Sequence, residues 1–504
     1  MAVEHFDVVI VGAGLSGIGA ACHLGVECPG KTFVLLEGRD RSGGTWDLFR
    51  YPGIRSDSDM YTLGYSFKPW KGPKSIACGA SILDYIRDTA REHDVERHIR
   101  FRHRVRRVSW SSDEARWTVE AERDGATPVR FTCNFLMMCA GYYRYEAGYT
   151  PQFPGIERYR GTVVHPHNWT DRVPYQGKRV VVIGSGATAV TLVPEIAQDA
   201  AHVTMLQRSP TYIVAWPDED AIANRLRRRL PEKIAYALTR WKNILRTLYF
   251  YRLAKRKPEF MKKRISDGVR MALGPQASAD MLKHFAPRYN PWDQRLCLTP
   301  NADFFRSIRQ GRTSIVTDEI ETFTEGGLKL KSGAELAADL VITATGIELQ
   351  SFGGAEMAID GRHIEPANLI SYKGAMYADV PNFVSVFGYT NASWTLKADL
   401  IARYACRLIN YMDKHGYRRC MPRNSEPAMA REPLNDFTSG YFARAQARMP
   451  KQGSREPWRV HQNYVKDLLN FRFGGLKDGV MEFDRRAPQS AVAARARADS
   501  PVSP

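Results

Sequence analysis

The chain has 504 residues, 44% hydrophobic and 11% aromatic, with 72 Lys or Arg against 54 Asp or Glu and a net charge of +18. That length buries several cores, so two or three domains are expected, and the composition excludes a disordered or fibrous chain. Eight scattered cysteines with no Cys-x-x-Cys pair argue against a disulfide framework, a zinc site and a redox dithiol. The first strand begins within a few residues of Met1 and no apolar run reaches the roughly 18 residues of a membrane span, so a cytoplasmic protein is the expectation.

An apolar run over 6–11 leads into Gly12-Ala13-Gly14-Leu15-Ser16-Gly17, and the next strand, 32–36, ends in Glu37. Glycines at this spacing let backbone turn from strand to helix and let a pyrophosphate approach main-chain N–H groups. A carboxylate about 20 residues on accepts hydrogen bonds from an adenosine ribose. A second copy follows the strand 179–183 as Gly184-Ser185-Gly186-Ala187-Thr188-Ala189. Its following strand, 203–206, ends in Gln207-Arg208-Ser209. Arginine in place of the acid favours a 2′-phosphate, and hence NADP(H) over NAD(H).

Between the two halves of this second unit lies a basic stretch. Over 221–264, 15 Lys or Arg stand against two acids, a net +13. Leu226, Leu230, Ile234, Leu238, Trp241, Leu245, Leu248, Tyr249 and Leu253 recur there at helical spacing. Two readings stay open: the apolar stripe packs on the body and the cations are merely solvated, or the region docks on an anionic membrane surface. Nucleic acid is not expected, because no recognition motif accompanies the charge.

The second unit is expected to resume near 299, with a helix over 302–309, a strand over 313–316, and a strand over 340–343 ending at Thr345-Gly346. The fold class expected is α/β: two doubly wound Rossmann-like nucleotide-binding domains, one inserted in the other, with an inserted helical subdomain. The boundaries are 1–148 and 377–484 for an FAD-binding domain, 149–215 and 299–376 for an NADP-binding domain, 216–298 for the helical insertion and 485–504 for a disordered tail. Stacking one nucleotide domain on the other sets a nicotinamide beside a flavin, the arrangement hydride transfer needs.

Two further segments carry a resemblance. Tyr159-x-Gly161-x-x-x-His165-x-x-x-Trp169-Thr170 resembles the fingerprint Phe-x-Gly-x-x-x-His-x-x-x-Trp-Pro/Asp of the Baeyer–Villiger monooxygenases, departing from it at Tyr159 and Thr170. Gly43-Gly44-Thr45-Trp46, Tyr51-Pro52-Gly53 and Asp57 match the family's second pattern throughout. Asn290-Pro291-Trp292-Asp293-Gln294 and Arg295-Leu296-Cys297-Leu298 look most like the subgroup that includes the ethionamide-activating monooxygenases of mycobacteria.

The resemblance implies an FAD- and NADPH-dependent enzyme that inserts one atom of O2 into ketones through a C4a-peroxyflavin, giving esters or lactones, and that also oxygenates sulfur compounds. It implies Arg295 as the active-site arginine, oriented by Asp57. Cofactor contacts are expected at Gly12, Gly14, Gly17, Glu37, Gly44, Thr45, Trp46, Asp57, Gly184, Ser185, Gly186, Thr188, Arg208, Ser209, Thr345, Gly346 and Asn391, with no metal. Trp394 is a candidate pocket residue. Alternatives stand beside these readings. Arg295 could be an ordinary ion-pair residue, Asp57 an N-cap for the segment at Tyr61, and Asn391 or Ser393 a plain helix cap. His165 could be a structural residue coupling cofactor binding to domain movement or a general base. A flavin-containing N/S-monooxygenase and an NADPH-dependent flavoreductase that feeds a partner protein remain the rival functions.

Overall fold

The computed structural model describes residues 3–426 and 428–485; all of the expected tail but residue 485 lies outside them. The strand Glu4–Val11 is buried at its C-terminal half and lies parallel between Phe33–Leu36 and Thr127–Met138. Val8, Val9 and Ile10 are wholly buried in succession, as expected of a parallel strand covered on both faces. An antiparallel meander of His103–Ser111 and Arg116–Arg123 extends the sheet beyond Thr127–Met138. Phe383–Ser385 also joins Thr127–Met138, in parallel.

A second sheet is built from residues that fall between these segments in the chain. Its five strands are parallel, in the order Thr313–Thr317, His202–Gln207, Arg179–Ile183, Leu340–Thr343 and Thr162–Val164. One doubly wound unit is therefore inserted in the other. The strand Glu356–Ile359, placed with the second unit by the expected boundary at 377, pairs instead with residues 107–110 of the first sheet. The chain re-enters the first unit through Ile347–Leu349, which pairs antiparallel with the outgoing strand Tyr143–Gly148. Short strands without a nucleotide motif gave no sign of this earlier return.

The basic stretch forms helices Ala221–Arg227, Glu232–Arg256 and Pro258–Leu273. Of the two readings of its apolar stripe, packing on the body holds only in part: Leu226, Leu230, Leu248 and Leu253 are half-buried, whereas Ile234, Leu238, Trp241, Leu245 and Tyr249 are exposed. The face of Glu232–Arg256 that turns inward carries Ala235, Tyr236, Ile244 and Ala254 together with Thr239, Arg240 and Asn243. Arg240 donates to the carbonyls of Tyr61 and Gly64 at 2.8 and 2.7 Å, and Asn243 to Asp59 at 2.9 Å. Backbone carbonyls left open beside the short helix Met60–Leu63 thus account for a buried arginine on an otherwise largely apolar face. No described helix is long and apolar enough to cross a membrane.

Candidate functional site

Both glycine turns open onto one cleft of about 1150 Å³ between the two sheets. In the first, Gly12 has φ +99°, and a Cβ there would lie 2.9 Å from the Cys139 carbonyl. Gly14 is the N-cap of the helix Leu15–Glu27, and its first turn has no side-chain cap. Those N–H groups are therefore left for an anion. Glu37 forms the adjacent wall. It is buried, and its carboxylate accepts from the backbone N–H of Ala13 at 2.8 Å and of Arg39 at 3.0 Å. Burial raises its pKa, against the two N–H bonds and the Arg39 charge.

The second turn repeats the arrangement. A Cβ on Gly184 would meet the Ala344 carbonyl at 2.3 Å, whereas one on Gly186 meets nothing within 4 Å. Gly186 caps the helix Ala187–Ile196, again without a side-chain acceptor, so the space above its N-terminus is open to a phosphate. Ser185 is fixed by its hydroxyl contact with Thr211 at 2.8 Å. Thr188, Arg208, Ser209, Thr345 and Gly346 complete this side, and Gly44, Thr45 and Trp46 the other. The arrangement fits two dinucleotides.

Arg295 and Asp57 meet in the cleft although 238 residues separate them in sequence. The guanidinium donates through Nε to Oδ2 at 2.8 Å and through Nη2 to Oδ1 at 3.0 Å. This planar two-point contact fixes both position and orientation. The Asp57 charge holds the Arg295 pKa well above its ordinary value, outweighing desolvation. The side chain is 38% exposed yet enclosed by protein, because the water it meets is that of the cleft. The N-cap role weighed for Asp57 belongs to Asp59, whose carboxylate accepts from Thr62 N–H.

Gly17 and Asn391 do not line the cleft. A Cβ on Gly17 would lie 1.9 Å from the Gly12 carbonyl, so this glycine seats the helix against the turn. Asn391 is buried and donates to the Gln462 carbonyl at 2.9 Å, while its Oδ1 has no partner. Neither Asn391 nor Ser393 caps the helix Trp394–His415 through its side chain. Trp394 does reach the cleft and donates to the Ser16 hydroxyl at 2.7 Å, tying the two segments together.

His165 sits outside the cleft on the crossing between the sheets. Its Nδ1 accepts from the His167 N–H at 3.1 Å and its Nε2 donates to the Gly346 carbonyl at 3.2 Å. A backbone donor at Nδ1 requires a neutral ring, and burial lowers the pKa accordingly. A Cβ on Gly148 would overlap the ring at 2.0 Å. The histidine thus touches both strands that connect the units and lies away from Arg295 and Asp57, a structural position.

Several site residues lie beyond any motif. Tyr142 stacks on Trp394 at 5.1 Å, and Tyr441 faces Arg295, whose charge partly offsets the burial that raises the phenol pKa. Arg444 lies 3.5 Å over the Tyr149 ring. Asp47 is buried and receives Arg39, Arg50 and Arg87 within 2.9 Å, anchoring the loop that carries Gly44. Of this wall only Trp394 was a candidate from the sequence; the aromatic density of 437–442 is the one signal that could have pointed to Tyr441.

Residues 74–256 match the family model "Flavin-binding monooxygenase-like", and residues 10–70 match "NAD(P)-binding Rossmann-like domain". The chain is 51% identical to the FAD-containing monooxygenase EthA of Mycobacterium tuberculosis over 96% of its own length and 98% of that protein. It is 46% identical to the probable FAD-binding monooxygenase AlmA of Acinetobacter baylyi, over 96% and 97%. A solved structure of an oxidized steroid monooxygenase bound to NADP shares the fold, with TM-score 0.76 and 21% identity over 95% of this chain and 100% of that one.

Proposed function

Because the chain belongs to the family of FAD-containing monooxygenases, we propose that it is an NADPH-dependent enzyme of the Baeyer–Villiger type. It inserts one atom of O2 into a ketone, giving an ester or lactone, and oxygenates sulfur in thioethers or thiocarbonyls. The observation that carries this reading is the Arg295–Asp57 pair between the two dinucleotide cradles.

Gly12, Gly14, Glu37, Gly44, Thr45 and Trp46 would hold FAD, and Gly184, Ser185, Gly186, Thr188, Arg208, Ser209, Thr345 and Gly346 would hold NADPH. When bound, NADPH supplies a hydride and the reduced flavin supplies the electrons that activate O2. Arg295 remains protonated through the cycle, since Asp57 stabilises its charge. It therefore donates hydrogen bonds to a negatively charged oxygen without surrendering a proton, which keeps that oxygen nucleophilic and stabilises charge developing on a ketone oxygen. Asp57 prevents the guanidinium from rotating, so the electrostatic term needs no reorganisation during reaction. Tyr142, Trp394 and Tyr441 supply an aromatic wall that excludes water and receives an apolar substrate.

The test is incubation of the FAD-loaded protein with NADPH, isotopically labelled dioxygen and a simple aliphatic or aryl ketone. One labelled oxygen in an ester supports the assignment. NADPH consumption that yields only hydrogen peroxide with every ketone and thioether offered would instead support the flavoreductase reading.

A further inference from the structure

The helix Glu232–Arg256 carries apolar residues on its outward face as well as on its buried one. Its outward residues Ile234, Leu238, Trp241, Leu245 and Tyr249, spaced by three or four, are each 41–62% exposed. Its inward face already buries Ala235, Tyr236, Ile244 and Ala254 beside the polar Thr239, Arg240 and Asn243. A surface helix normally turns its apolar residues inward, and here the buried hydrogen bonds of Arg240 and Asn243 hold the helix in a rotation that leaves a second apolar row outside. The stripe runs about 23 Å along the helix. Continued at the same spacing it reaches Arg252 and Arg256, both exposed, and Arg228, Arg229 and Lys233 are exposed before it. An apolar line thus lies between two groups of cations.

We propose that this face is a docking surface for an anionic lipid bilayer, with the stripe lying in the interface and the flanking cations on the headgroups. Charge selects the occupant. A second copy of the chain would bring a +13 segment against its equal, whereas acidic headgroups complement both cationic ends. An interfacial helix of this kind needs an apolar side and basic flanks, and no spanning segment.

The experiment is co-sedimentation of the FAD-loaded full-length protein with vesicles of roughly one-third phosphatidylglycerol in phosphatidylcholine, and with phosphatidylcholine alone. Binding is expected on the anionic vesicles, weakened by salt. The double variant Leu238→Asp, Leu245→Asp should lose at least about tenfold in binding, with turnover of a water-soluble substrate unchanged. Trp241 gives a second readout on the unaltered stripe: a blue shift of its emission on anionic vesicles, absent from the Trp241→Phe protein. No binding at low salt would overturn the proposal. Undiminished binding by the Asp variant, or no shift from Trp241, would do so as well, since charge alone would then account for it. A stable dimer that hides Trp241 in the absence of vesicle binding would identify a second copy as the occupant.

Discussion

Arg55 donates to both carboxylate oxygens of Asp303, at 2.5 and 3.3 Å, and two residues along the same loop Asp57 receives both donors of Arg295. The two pairs join one loop of the first unit to residues 295–303 of the second with opposite polarity. Asp303 also begins the helix Asp303–Arg309, where a carboxylate is favoured by the helix dipole.

Replacing Arg55 by Met is therefore expected to act on Arg295 from a distance. It leaves Asp303 partly buried without its cation, at a cost of about 1–3 kcal/mol, and frees the loop that holds Asp57. Oxygenation should slow several-fold while flavin content and NADPH oxidation stay near those of the parent. Thermal melting together with separate rates for flavin reduction and product formation checks this. An unchanged product rate with a lowered melting temperature would make the pair purely structural.

Arg295→Ala is expected to leave flavin reduction by NADPH largely intact and to abolish product formation. Arg295→Lys should restore little, because an ammonium cannot make the planar two-point contact with Asp57. The measurement is stopped-flow reduction followed by product analysis. Normal ester formation by either variant would remove Arg295 from its role.

Much of this arrangement was legible in the sequence because it depends on local necessity. Gly12 and Gly184 adopt φ +99° and +126° against facing backbone, a demand visible as a glycine at a fixed place after an apolar strand. Arg295 and Asp57 were legible only through motif resemblance, since 238 residues separate them. Tyr441 and Arg444 were not legible: their place depends on how residues 437–445 fold back onto the cleft, and aromatic residues occur in any core. The direction of the stripe on Glu232–Arg256 was equally hidden. Periodicity shows apolar residues on more than one face, and the rotation that buries Tyr236 and Ile244 while Arg240 reaches the carbonyls of Tyr61 and Gly64 depends on elements far away in the chain.

On the proposed function, a preference for NADPH over NADH is expected from the charge just after the strand His202–Gln207. Arg208 is exposed on the cleft beside the second glycine turn, so Arg208→Ala should weaken NADPH use by roughly 10–100-fold, the worth of one charge-assisted contact. NADH should be almost unaffected. Initial rates with each coenzyme give the ratio, and an equal loss for both would show that Arg208 contacts something other than the 2′-phosphate.

His165 must stay neutral to accept the His167 N–H while donating to Gly346. Its pKa is lowered by burial, so in the folded protein it takes up a proton only below the ordinary histidine value near 6.5. The unfolded chain protonates first as pH falls, and stability from this site declines below that value. Coupling between NADPH oxidation and product should fall in the same acid range, because the protonated ring repels the N–H it now accepts. His165→Gln should flatten that acid limb of the coupling profile; an identical limb in the variant would assign it to another group.

His23 runs the other way. Burial alone would lower its pKa, but hydrogen bonds to Asp399 and Glu27, together with their charges, outweigh this and push it up to about 9. The ring lies 3.4 Å from Asp399 and 3.3 Å from Glu27, joining the helices Leu15–Glu27 and Trp394–His415, and Arg240 approaches Asp399 at 3.6 Å from the helix Glu232–Arg256. A folded pKa raised above the unfolded value gives stability that is fully present below about 6.5 and is lost as pH rises through about 9. Its size is at most on the order of 3 kcal/mol. The melting temperature should therefore fall between pH 7 and 9 in the parent protein and change less over that range in His23→Gln, which keeps a donor toward Asp399 but cannot titrate. Parallel melting curves across that range for both proteins would place the charge of His23 outside the folding equilibrium and leave Asp399 to Arg240 alone.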